Sequence, residues 1–375
     1  MNEDKSARYH KRRRRAAVAS VAWSAGLLAF LAATPGAVGL RELAGSLAAW
    51  LGLPPLLVPT TTVVVFVLAL ALLHEAGAIP IAFYRTFLLE HRFGLSNEAP
   101  GRWLSDQLKG LLLSAAFSAA GFAALYVAIQ LWPSWWWVAA GAGFAAIAVV
   151  LARLAPVLLL PIFFKFRPLR REDLRQRLVA LSRRAGVQVL DACEWQLSDR
   201  TKKANAALTG LGRTRRILVS DTLLAHHTDD EIEVILAHEI GHHVRGDIWK
   251  GIALESAAAL AGFFLIGRVL ERAWQPLGWQ GVADPAGLPV VVLTAGVLSL
   301  ALLPLTNAVS RWRERAADRF AWELTGNPRA FASAIERLAS QNLAERRPSR
   351  LALWLFHTHP PVDERIAAAR ASASP

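Results

Sequence analysis

Six separate stretches of the chain are apolar for long enough to cross a bilayer, and this limits what the chain can fold into more than any other feature. A spanning helix needs roughly 20 apolar residues, because every backbone N–H and C=O must be satisfied inside the hydrocarbon. The stretches lie at about 16–37, 57–84, 108–131, 134–162, 250–270 and 287–309. Hydrophobic residues make up 54% of the 375-residue chain, above the roughly 45–50% usual for soluble domains. These features predict a mainly α, polytopic membrane protein. The run LRELAGSLAAWLGLPP at 40–55 is too short to cross, and Arg41 and Glu42 interrupt it. It is expected to lie at the interface or dip into the membrane.

Charge placement orients the spans. The formal net charge is +13, and much of it sits in RYHKRRRR at 8–15, just before the first apolar stretch. A basic cluster beside a span is an orientation signal and a contact for anionic lipid. No recognition module accompanies the charge, so nucleic acid is not expected as a partner. With the N-terminus inside, the loops at 38–56, 132–133 and 271–286 fall outside and carry only Arg41 and Arg272. The segments at 85–107, 163–249 and 310–375 fall inside with nearly all the remaining Arg and Lys. Both termini are therefore expected on the cytoplasmic side, with Trp135, Trp136 and Trp137 marking the outer interface. The first stretch lacks a small-residue cleavage pattern and reads as a retained span. Usage rich in Arg and Ala and poor in Lys and Met points to a GC-rich bacterial genome, hence to the bacterial cytoplasmic membrane.

Between the fourth and fifth spans lies a polar insert, about 165–249. REDLRQRLVALSRRAGV is amphipathic, with Leu174, Leu178 and Leu181 on one face. VQVLDACEW, NAALTGL and RRILVSDTLL then read as strands between polar turns. In TDDE, Thr228 and Glu231 have capping-box spacing and announce a helix.

That helix carries AHEIGHH. His238 and His242 are four apart and share a face, so both rings can reach one ion. Glu239 projects beside them, close enough to take a proton from water activated by a metal. The single cysteine, Cys193, excludes a thiolate cluster, so any metal must use His and carboxylate. His243 is five residues from His238 and points off the shared face. A third ligand should come from another helix. Residues 307–326 offer Glu314 and Asp318 four apart, yet Arg311, Glu314, Arg315 and Asp318 also fit a solvated helix with paired charges.

HEIGHH, SRWRERAADRFA and HTHPPVDERI together resemble the type I CAAX prenyl proteases and their bacterial relatives, membrane-embedded zinc endopeptidases. LLEHRFGLS at 88–96 with Asp106 and Lys109, LPIFFKFRPL at 160–169, and NAALTGL followed by RILVSDTLL extend the likeness over nearly the whole chain. The resemblance implies a zincin-like (gluzincin) α+β peptidase domain at 165–375, interrupted by the last two spans, behind an N-terminal transmembrane domain at 1–164 with about four spans. It implies one Zn2+ per chain on His238, His242 and Glu314, with Asp318 orienting a ligand histidine. Glu239 becomes the general base, and His359 a donor to the developing oxyanion. Asn205 and Ala206 match the edge strand that binds substrate, and Arg365 a residue that helps build the site. The eukaryotic members have a longer N-terminal region and usually one more span, so fold and chemistry transfer while substrate identity does not.

Other polar residues have plainer readings. His226 and His227 are expected in a solvent-facing turn, and His357 in a solvated loop. His74, Glu75 and Glu255 fall inside spans, where ionisable groups usually face a cavity or a partner. The expected function is hydrolysis of peptide bonds in peptide or membrane-protein substrates. One alternative is a heat-shock-type membrane metalloprotease of quality control, typically shorter and with fewer spans before the zinc helix. A more distant alternative is a transporter or scaffold with structural zinc, which normally has four protein ligands and no free base beside the metal.

Overall fold

The computed structural model describes residues 2–210 and 215–373. Met1, Leu211 at the end of the NAALTGL run, and the last two residues of the ASASP tail lie outside the described residues. The membrane part begins with α1 (Asn2–Ala33), the short α2 (Gly36–Trp50) and α3 (Val58–Ala82). A wide π-type turn, Phe83–Leu88, carries α3 on into α4 (Leu89–Arg92). Next come α5 (Pro100–Leu131) and α6 (Trp136–Leu154), which passes through a second wide turn into α7 (Leu160–Phe163). The polar part contains β1 (Lys165–Pro168), α8 (Glu172–Arg184), β2 (Asp191–Gln196), β3 (Ala206–Thr209), β4 (Arg216–Ser220), α9 (Asp221–His226) and α10 (Asp229–Val244). Then follow α11 (Asp247–Ala273), α12 (Leu288–Thr325), α13 (Pro328–Gln341), α14 (Arg350–Phe356) and α15 (Val362–Ser372).

Among the described residues, six helical stretches are long and apolar enough to cross a membrane: Lys5–Ala33, Pro55–Arg92, Pro100–Leu131, Trp136–Phe163, Asp247–Ala273 and Pro285–Thr325. Their apolar side chains are widely exposed, Phe30, Leu72 and Leu112 among them. Surface of that kind and extent is what a bilayer covers. All of these spans but the fourth run three or more residues past their apolar stretch at one end or both, into polar sequence that hydropathy alone cannot detect.

Paired contacts sort the helix ends. At one end Ser6 Oγ donates to the carbonyls of Leu343 and Ala344, both at 3.0 Å, and Tyr9 donates to Glu90 in α4. At the other end Arg41 of α2 lies 2.6 Å from Asp284, just before α12, and Tyr126 donates to the Asp284 carbonyl at 3.3 Å. The start of α1 thus meets the end of the α3–α4 helix. Helix α2, lying between α1 and α3 in the chain, stays at the far end and does not cross.

The sheet has the order β1-β2-β4-β3, antiparallel except for the parallel β2–β4 pair. Two features depart from the sequence expectation. Strand β1 falls in the LPIFFKFRPL segment, where no strand was expected, and pairs with β2, and the RRILVSDTLL strand stops at Ser220, whose side chain caps α9. Leu174, Leu178 and Leu181 of α8 are buried in one core with Ile217 and Val219 of β4, Ile232 and Leu236 of α10, and Phe331 of α13. Each such side chain contributes about 1.5–3 kcal/mol by leaving water. This core fixes α10 against the sheet, with α12 on its other side.

Candidate metal centre

Helix α10 starts where its sequence predicts. Thr228 Oγ1 accepts from the Glu231 N–H, and Glu231 Oε2 accepts from the Thr228 N–H at 2.9 Å. Such a cap contributes about 1 kcal/mol and fixes where the helix begins, while packing on the core sets which face meets α12. His238 and His242 lie on that face, opposite Glu314. The His238 and His242 Nε2 atoms are 3.2 Å apart. Glu314 Oε2 lies 3.2 Å from the first and Oε1 3.3 Å from the second. One donor atom from each of the three side chains falls within 4.8 Å of the others. Gly241 permits this approach: a Cβ there would stand 3.3 Å from Ala317 Cα and 3.0 Å from Phe320 Cδ1 on α12.

The far side of each ring faces a carboxylate. His238 Nδ1 lies 2.8 Å from Asp318 Oδ1, and His242 Nδ1 lies 3.0 Å from Asp247 Oδ2. Each Nδ1 therefore carries a proton. Burial lowers the pKa of His238, but Asp318 and Glu314 more than reverse this and hold it at about 9, so without a metal the ring keeps a proton on Nε2 as well, directed at Glu314. A cation would take the place of that proton, and the two Nε2 lone pairs and the buried carboxylate would then converge on it. Burial pushes the Glu239 carboxyl above its usual range, against the opposing pull of His238 and His242.

Arg365 of α15 donates twice to Asp318, at 2.8 and 2.6 Å, and fixes the carboxylate that fixes His238. Asn205, Ala206, His238, Glu239, His359 and Arg365 all line one cavity of about 170 Å³. His359 Nε2 stands 3.4 Å from Glu314 Oε2, with its ring open to that cavity. Strand β3 is an edge of the sheet, and the Asn205 carbonyl accepts from Ser220 N–H on β4. By the alternation of an antiparallel ladder, the N–H and C=O of Ala206 face the open edge.

Asp247 is the one residue of this cluster that the sequence analysis did not single out. Its only signal was a lone acid five residues after His242, made local by a left-handed Gly246 at φ 66°. His243 does leave the metal face, where burial and the Arg215 guanidinium push its pKa down to about 4. His226 is exposed, at the end of α9, but His227 is buried, contrary to the solvent-facing turn expected for both. His357 is also not a solvated loop residue. Its ring lies 3.2 Å from Glu345, and its carbonyl accepts from buried Arg311 at 2.8 Å. Inside the spans, His74 Nε2 meets Ser24 Oγ at 2.9 Å and its Nδ1 lies 3.5 Å from Glu75, while Glu255 is exposed on α11.

Residues 168–373, more than half of the chain, match the model of peptidase family M48. The chain belongs to peptidase family M48. Residues 2–165 match a second model, the CAAX prenyl protease N-terminal region with five membrane helices. Among the described residues that region holds four helices long and apolar enough to cross a membrane, with the short α2 between the first two. Among relatives, an uncharacterized metalloprotease YhfN of Bacillus subtilis is 29% identical over 80% of this chain and 71% of its own length. A CAAX prenyl protease 1 homolog of Arabidopsis thaliana is 28% identical over 77% of this chain and 69% of its own. The crystal structure of S. mikatae Ste24p has the same fold, with a TM-score of 0.85 at 22% identity, over 98% of this chain and 88% of that one. This M48 peptidase is thus a multi-pass membrane metalloendopeptidase acting on peptide or protein substrates.

Proposed function

We propose that the chain is a zinc endopeptidase whose metal is held by His238, His242 and Glu314. The observation that carries this reading is the convergence of two imidazole Nε2 atoms and one carboxylate, each ring backed by its own aspartate. Two nitrogens and one oxygen, with the fourth direction open to the cavity, suit zinc in a catalytic setting. Bound there, the metal would polarise water and the scissile carbonyl.

The chain's own residues supply the rest. A peptide adds as a strand beside Ala206, whose outward N–H and C=O hold it in register. Glu239, with its carboxyl raised by burial, takes the proton of the attacking water and returns it to the leaving amine. His359 donates to the carbonyl oxygen as it gains charge. Arg365 keeps Asp318, and through it His238, in place. Asp247 does the same for His242.

In this reading residues 1–164 form the membrane domain and 165–375 the peptidase domain, interrupted by α11 and the first part of α12. The two family models meet at 165–168, which supports that division. The site opens at the basic end of the bundle, so it belongs on the cytoplasmic face, with both termini, of what we take to be a bacterial membrane. Peptides and membrane proteins are the proposed substrates.

The test is metal content and cleavage of a fluorogenic peptide by the purified chain, with and without chelator. One zinc per chain and chelator-sensitive cleavage are expected. Glu239→Gln should keep the zinc and lose turnover by about 10²–10⁴-fold. Glu314→Ala should lose both. Full zinc in the Glu314 variant, or turnover in the Glu239 variant, overturns the assignment.

A further inference from the structure

A second cavity, of about 240 Å³, opens away from the metal centre between α1, the wide turn at Phe83–Leu88 and the loop leading to β3. Arg13, Arg85, Arg200 and Lys203 line it, with Glu90 and Glu98. The acids are already engaged. Lys203 Nζ lies 2.7 Å from Glu90, which also accepts from Tyr9, and Arg200 pairs with Asp106 and stands 3.8 Å from Glu98. Among the described residues no carboxylate pairs with Arg13, which lies against the Tyr9 ring, or with half-buried Arg85. The wall thus carries two guanidinium groups in search of an anion.

The position of the cavity says which anion. Arg13 stands just before the apolar stretch of α1, and Arg85 just after that of α3, so both lie at the depth of the lipid headgroups. Guanidinium forks match phosphate oxygens, and anionic headgroups concentrate at a basic membrane face. Thr86 lines the same wall, but its hydroxyl is engaged, donating to the Ala82 carbonyl and accepting from Trp103, so the anion would rest on the guanidinium groups.

We propose that this cavity binds the phosphate of an anionic phospholipid. The lipid's acyl chains would lie along the exposed apolar side chains of α1 and α3. The loop that supplies Arg200 and Lys203 runs directly into Ala204, Asn205 and Ala206, so the bound headgroup would also steady the edge strand. That last consequence rests on the proposed peptidase site, whereas headgroup binding does not.

The experiment is native mass spectrometry of the full chain with equal amounts of phosphatidylglycerol and phosphatidylcholine. The wild type should retain phosphatidylglycerol in preference. Arg13→Gln and Arg85→Gln should each weaken that retention about fivefold, the factor expected for one basic residue at an anionic surface. Arg183→Gln, which removes the same charge from an exposed face of α8, should retain it in full. Undiminished retention in a folded variant lacking both Arg13 and Arg85 overturns the proposal. So does occupation by inorganic phosphate or glycerol phosphate when phosphatidylglycerol fails to bind, because the ligand would then be a soluble ester. A photoactivatable phosphatidylglycerol analogue tests the wild type alone: labelling of 83–86 or 200–203 supports the site, and labelling elsewhere only refutes it. A chain that bound no metal and cleaved nothing would still give these readouts.

Discussion

His238 Nδ1 lies 2.8 Å from Oδ1 of Asp318, one helical turn beyond Glu314 on α12, so one helix supplies both the proposed third ligand and the group that aims the first. Asp318→Asn keeps the shape and removes the charge. It should weaken zinc affinity about 10–100-fold, measured by competition with a chromogenic chelator. Unchanged affinity would mean that packing alone holds the ring. Asp318→Ala should be worse for stability, because it strands the buried Arg365 guanidinium, at a cost of about 3–5 kcal/mol.

Asp247 makes the matching contact with His242 at 3.0 Å, from a different helix. Asp247→Asn should also lower zinc affinity about tenfold or more. The two aspartates hold different rings, so in the double variant the losses should multiply. A double variant no worse than either single one would show that only one ring depends on its carboxylate.

Gly241 should not tolerate a methyl group. Gly241→Ala pushes α10 away from α12, because one of its close neighbours is the backbone at Ala317. We expect about 1–3 kcal/mol of destabilisation, read from thermal unfolding, together with loss of zinc as Glu314 withdraws. A fully stable, fully loaded variant would show that the two helices part without disturbing the centre.

Ala206→Pro tests the edge strand. Proline is tolerated at an edge and removes only the outward N–H. Loss of one hydrogen bond, about 0.5–1.5 kcal/mol, should raise KM up to about tenfold at unchanged zinc content. An unaltered KM would place the substrate elsewhere.

Much of this was legible in the sequence because it depends on local periodicity. The spans show by length, His238 and His242 share a face by spacing alone, and Thr228 with Glu231 marks the start of α10. Glu314 was ambiguous by itself. The segment 311–318 looks like a solvated helix, and only its tertiary neighbours, α10 and the chain around α14, show that Arg311, Glu314 and Asp318 are buried. Asp247 was not visible at all, because it reaches His242 through a left-handed turn at Gly246 rather than along one helix face. Strand β1 was hidden for a similar reason. Four residues, KFRP, become a strand only because β2 lies beside them. The burial of His227 and the pairing of His357 with Glu345 likewise depend on tertiary neighbours that no window of sequence contains.

Helix α12 runs unbroken for 38 residues from Leu288 to Thr325, with a membrane span at its beginning and Glu314 near its end. In the proposed site a bound metal would be a rivet, joining the water-facing layer, through His238 and His242, to a rod anchored in the bilayer. A peptidase layer cut free of its spans would lose a ligand along with its anchor. Bilayer thickness, by setting how far the rod protrudes, would become a variable of the coordination sphere.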